Sequence, residues 1–166
     1  FAANLTMMFN EWGFLDRFDA AAEAGFTAVE FLFPYDHPPE IVAERLRRNG
    51  LTQALFNMPP GDWAAGERGL AALPERFAEV QAGVAKALDY AAATGVKRIH
   101  IMAGLAAPDD AAAVAAYRRS VEHAAGRLAE AGIDLLLEPI NGRDMPGYFL
   151  NDFDRTAALI GEIGLG

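Results

Sequence analysis

One pattern recurs five times along this 166-residue chain: a short apolar run, a polar loop, then an Ala-rich helical stretch closed by glycine. The first run covers residues 3–9, and the helix over 14–24 stops at Gly25. Residues 28–33 (AVEFLF) and 39–49 form the second pair, closed by Gly50. Residues 51–57 and 75–94 form the third, closed by Gly95. Residues 98–103 (RIHIMA) and 109–131 form the fourth, closed by Gly132. Residues 133–140 and 152–163 form the fifth. Glycine ends a helix well because it enters the left-handed region without a Cβ penalty.

Strict alternation of short strands and helices predicts a parallel sheet with helical crossovers. Two architectures satisfy it, an open doubly wound sheet and a closed barrel. The open type usually carries a glycine-rich phosphate loop after its first strand. Here Phe9-Asn10-Glu11-Trp12 follows the first run, and no GxxxxGK[ST] occurs anywhere, so the barrel is favoured. In such folds the carboxyl ends of the strands carry the chemistry. The loop after the third run, residues 58–69, mixes Gly, Pro, charges and Trp63. A connection of that length in a compact domain tends to be functional or disordered, and a Trp within it suggests a lid or pocket wall.

Composition narrows the function. Apolar residues make up 52% of the chain, which excludes general disorder. No cysteine is present, so disulfides and thiolate metal sites are ruled out, in keeping with a reducing cytoplasm. No apolar run reaches the length of a membrane span, and residues 1–9 lack the layout of a signal peptide. A start at Phe1 rather than Met implies that leading residues are missing. The net charge is −9, with 14 basic against 23 acidic residues. Nucleic-acid binding needs clustered basic groups, and the one tight cluster, Arg45, Arg47 and Arg48, reads as a solvated helix face. An acidic surface does not steer anions, so an acid substrate would need local help, a bound cation above all.

Glu138 is the foremost catalytic candidate. It follows Leu135-Leu136-Leu137 and precedes Pro139, and a carboxylate closing an apolar strand is costly unless paired or bound to a cation. A structural ion pair is the alternative. Glu30 lies earlier in its strand, where an ion pair or hydrogen bond is the expected role. Asn57, ending the third strand, either hydrogen-bonds a substrate oxygen or caps the turn. His100 faces away from Ile99 and Ile101 and reads as a satisfied core histidine, while His37 and His123 read as solvent-facing. No HxxH, HExxH or CxxC spacing supports a zinc site. Ser120 sits mid-helix, away from any GxSxG elbow, which excludes serine-hydrolase chemistry. Arg143 and Asp144 follow the fifth strand as a solvated loop that could gate a site.

Four stretches together carry a resemblance: FAANLTMMF at residues 1–9, AVEFLFPY at 28–35, FNMPPGDWAAGERG at 56–69 and LEPIN at 137–141. They resemble the hydroxypyruvate isomerase family of xylose-isomerase-like barrels, and the likeness runs over the whole chain. The resemblance implies an α/β fold, the (β/α)8 TIM barrel, of which residues 1–166 supply the first five βα units as one domain. It implies a cytoplasmic aldose–ketose isomerase acting on hydroxypyruvate and 2-hydroxy-3-oxopropanoate (tartronate semialdehyde). In that family two glutamates move a proton between adjacent carbons, and a divalent ion, Mg²⁺ or Mn²⁺, stabilises the enediolate. Glu138 matches the fifth-strand glutamate, both metal ligand and proton-transfer residue. Asn57, Trp63, Glu67 and Arg68 are the candidate substrate contacts.

A complete barrel has eight units in roughly 250 residues. The family's other metal ligands and second catalytic glutamate lie on strands six to eight, so these five units alone should be inactive. Related readings are a 3-dehydrotetronate (2-oxo-tetronate) isomerase or another sugar-acid epimerase on the same barrel. A reading from another class is a half-barrel that assembles with a partner, or with its own copies, through open sheet edges. A zinc-dependent DNA-repair endonuclease shares the fold, but the charge and the scarcity of His weigh against it and against any nucleic-acid partner.

Overall fold

The computed structural model describes residues 1–163. Its five strands are β1 (Ala2–Asn4), β2 (Ala28–Phe31), β3 (Thr52–Asn57), β4 (Arg98–His100) and β5 (Asp134–Leu136). They form one sheet in the order β1-β2-β3-β4-β5, every neighbouring pair parallel. Chain order and sheet order coincide. A doubly wound sheet reverses direction partway, whereas an unreversed sequence of crossovers is the arc of a barrel.

The helices are α1 (Arg17–Glu23), α2 (Pro39–Arg48), α3 (Phe77–Thr94), α4 (Ala111–Glu130) and α5 (Phe153–Ile163). Short 3-10 turns at Phe14–Asp16 and Pro74–Arg76 lead into α1 and α3. Pro39 opens α2, where its missing N–H costs nothing. Asp110 caps α4 by accepting from the backbone N–H groups of Ala112 and Ala113, so that helix starts at Ala111 rather than 109.

The strands are shorter than the apolar runs suggest. β1 stops because Asn4 turns the chain: its Oδ1 accepts from the Thr6 N–H and its carbonyl from Met7 and Met8. Residues 5–9 are therefore not strand. β5 ends at Leu136, two residues before Glu138. Pro139 has no N–H to offer a ladder, and the Ile140 N–H donates to Leu150 O instead.

Alternation along the strands sorts side chains to two faces. Ala3, Val29, Phe31, Phe56 and Ile99 are all but fully buried beneath the helices, among Phe18, Val42, Val84, Ala87 and Leu128. The opposite face presents Glu30, Leu55, Asn57, His100 and Leu136. One irregularity is decisive. Val29 pairs with Gln53 but Phe31 pairs with Phe56, so β3 carries an extra residue across two steps of β2. Without that bulge Asn57 would point into the helix layer; with it, Leu55 and Asn57 share a face with Glu30.

Candidate functional site

The inner face and the loops after the strands enclose a cavity of about 590 Å³. Its polar lining comes from Asn4, Glu30, Asn57, His100, Glu138, Asn141 and Asp144, and its apolar wall includes Met7, Trp63, Met102 and Met145. Among the described residues, three carboxylates face it and no Lys or Arg does.

Adjacent strands bring the polar groups together through their register. Asn4 pairs with Glu30, and Asn57 pairs with His100. Asn4 Nδ2 donates to Glu30 Oε1 at 3.0 Å, which fixes one carboxylate oxygen. Asn57 uses its backbone elsewhere: its N–H donates to Leu32 O, and its carbonyl accepts from the Tyr35 hydroxyl at 2.7 Å. Its amide side chain is left to the cavity.

Glu138 sits just beyond β5 with its side chain 64% exposed. Its carboxyl is pushed above the ordinary value, first by partial desolvation and then by the negative charge of Glu30. Across from it stands His100, whose side chain is only 4% exposed and whose Nδ1 lies 3.7 Å from Glu138 Oε2. Burial lowers the His100 pKa to about 4, so the ring is neutral at ordinary pH. Its Nε2 is buried without a hydrogen-bond partner. His100 is thus not the satisfied core residue expected but a wall of the cavity. Glu30 does hold a hydrogen bond as anticipated, though one that leaves it facing Glu138.

Trp63 lines the cavity, packed on Phe33 with ring centroids 5.1 Å apart, and the Arg68 guanidinium lies 4.0 Å above its indole. Glu67 and Arg68, expected as substrate contacts, are not among the residues lining the cavity. Glu67 pairs with Arg76 at 2.6 Å and accepts from the Asp62 N–H, and these bonds hold its carboxyl below the usual range. Arg68 donates to the Trp63 and Glu67 carbonyls. Both side chains build the loop that carries Trp63. His37 is half-buried, stacked on Phe14 at 5.5 Å, and His123 is half-buried against Phe77, so neither is the solvent-facing residue expected. Asp144 reaches the cavity tied to Asn141 Nδ2 at 2.8 Å, whereas Arg143 does not line it.

A hard divalent cation suits oxygen donors such as the Glu138 and Glu30 carboxylates. Among the described residues, however, no three His, Asp or Glu side chains converge into a metal cage. The donor chemistry fits one arm of such a site, and these residues do not complete it. No helix among the described residues is long and apolar enough to cross a membrane.

Residues 18–165 match the family model described as xylose isomerase-like TIM barrel. The chain is 57% identical over 166 residues to a 2-oxo-tetronate isomerase of Cupriavidus necator, covering 99% of this chain and 64% of that protein. It is 43% identical over 166 residues to the hydroxypyruvate isomerase of Escherichia coli, with the same coverage of each. The crystal structure described as an AP endonuclease, family 2, from Brucella melitensis superposes with a TM-score of 0.93 at 47% identity, covering 98% of this chain and 63% of that one. The chain thus spans just under two thirds of the length of these relatives.

Proposed function

This chain belongs to the xylose isomerase-like TIM barrel family, and from that premise we propose that it forms the proton-transfer half of an aldose–ketose isomerase for short hydroxy- and oxo-acids. The observation that carries the reading is the meeting of Glu138, Glu30 and His100 on one cavity at the carboxyl ends of the strands. Moving a carbonyl to the neighbouring carbon requires a base that takes a proton from one carbon and returns it to the other. Glu138 is suited to that work. Its carboxyl is reachable from the cavity and stands at the carboxyl end of its strand, where barrel enzymes place catalytic groups. Glu30, anchored by Asn4, faces the cavity beside Glu138, and Asn57 offers an amide to substrate oxygens. Trp63 and its neighbours form an apolar wall that limits water.

The lining is acidic, so the substrate's carboxylate must meet positive charge supplied by something other than these residues. Mg²⁺ or Mn²⁺, with Glu138 as this chain's ligand, would supply that charge and stabilise the developing oxyanion. The same acidity speaks for a small-molecule partner over nucleic acid.

Hydroxypyruvate, interconverting with 2-hydroxy-3-oxopropanoate, is one substrate reading. The four-carbon 2-oxo-tetronate is the second, and the 57% identity to a protein of that name favours it. Comparing kcat/KM on the two acids, with and without chelator, tests both. Metal-dependent turnover of either supports the isomerase, and the larger kcat/KM selects the substrate. No turnover of either by the metal-loaded complete barrel, this chain joined to strands six to eight, refutes the reading.

A further inference from the structure

Among the described residues, His100 is the buried ionisable side chain of the cavity to which the proposed reaction gives no task. It lies on β4 between Asn57 of β3 and Leu136 of β5, held in register on both sides. Its backbone is committed as well, since the His100 carbonyl accepts from the Met58 N–H. The ring has little freedom to move, and its Nδ1 points at Glu138 Oε2 across 3.7 Å. The Glu138 side chain is 64% exposed and, among the described residues, makes no hydrogen bond of its own. An exposed glutamate populates many rotamers, and ordering one costs about 1.5–2 kcal/mol of side-chain entropy. A proton-transfer base cannot wander in this way, because an error of about 1 Å in placement can cost ~100-fold in rate.

We propose that His100 is a positioning residue for Glu138: its Nδ1–H donates to the carboxylate and selects the rotamer that faces the cavity. The two ring nitrogens support this assignment. Nε2 is buried with no partner, so a proton there would be a buried donor left unsatisfied, while Nδ1 has an acceptor within a small side-chain rotation. The inference rests on Glu138 being the proton-transfer base, and its test therefore includes a readout independent of turnover.

That readout is the ¹⁵N spectrum of the full chain labelled at histidine, with the His100 signals assigned by their loss in His100→Asn. The expected spectrum shows a protonated Nδ1 and an unprotonated Nε2, and Glu138→Ala moves the Nδ1 proton resonance. An Nε2–H tautomer, or an Nδ1 proton indifferent to Glu138→Ala, would overturn the proposal whether or not the protein turns over substrate. In kinetics of the complete barrel, this chain joined to strands six to eight, His100→Phe should lower kcat by about 10- to 100-fold with KM changed by less than about twofold. His100→Asn places an amide N–H near the Nδ1 position and should recover most of that loss. Equal activity for the Phe and Asn variants would mean that the ring only fills space.

Discussion

Acid should destabilise this protein through His100, by an amount the structure allows to be worked out. The native ring has a pKa of about 4 because burial disfavours its charge, against 6.5 when solvated. Below pH 6.5 the unfolded chain takes up a proton that the native state refuses until about pH 4. The unfolded state therefore binds more protons across that window, and stability rises with pH through it. Read downward, the stabilisation is whole above about pH 6.5 and is lost as pH falls toward 4. The full span is worth ~3 kcal/mol, and most of it should disappear between about pH 7 and pH 4.5. The perturbation is His100→Asn, which cannot titrate. Urea unfolding of both proteins across this range gives a difference in ΔG in which the carboxylates common to both cancel. The wild type should lose ~2 kcal/mol more than the variant on going from about pH 7 to 4.5. A difference that stays flat with pH would refute the burial of a neutral imidazole at this position.

Three further substitutions test how the cavity is framed. Gly69, at the end of the Trp63 loop, has φ +112°, and a Cβ there would lie within 2.5 Å of the Met102 carbonyl carbon; Gly66, with φ +95°, has open space around it. Gly66→Ala should therefore cost only backbone strain of ~1–2 kcal/mol, and Gly69→Ala ~2–5 kcal/mol, read by urea unfolding; equal costs would argue against the close approach. The Tyr148 hydroxyl accepts from the buried Ala103 N–H at 2.8 Å, next to the cavity residue Met102. Tyr148→Phe strands that donor and should cost ~1–3 kcal/mol in the same assay, whereas an unchanged midpoint would mean the N–H finds another acceptor.

The five strands and five helices were legible because each helix ends in a glycine or polar break and each strand is a compact apolar run. The ends of the runs misled for local reasons. Asn4 turns the chain with its own side chain, and Pro139 cannot join a ladder, so residues 5–9 and 137–140 look like strand by hydrophobicity without being it. In the site, alternation put His100 opposite Ile99, but in a parallel sheet covered by helices both faces are apolar in sequence. Only the fold tells which face opens on the cavity. Asn57 reaches the cavity through the bulge in β3, an irregularity of pairing that leaves no mark in composition. Glu67 and Arg68 look like functional charges in an unusual loop. What claims them lies outside their own stretch of sequence or behind them in space: Arg76 nine residues on for Glu67, and the Trp63 ring for Arg68.

Solvent-deuterium exchange tests the proton-transfer role of Glu138 most directly, because it follows the proton rather than net conversion. The hydroxy-acid substrate is incubated with Mg²⁺- or Mn²⁺-supplied protein in deuterated water, and label at the carbon beside the carbonyl is followed by NMR. The complete barrel, this chain joined to strands six to eight, should introduce deuterium there, and Glu138→Gln within it should slow that exchange by about 10²- to 10⁴-fold, the contribution expected of a positioned base. Undiminished exchange in Glu138→Gln would show that another group moves the proton.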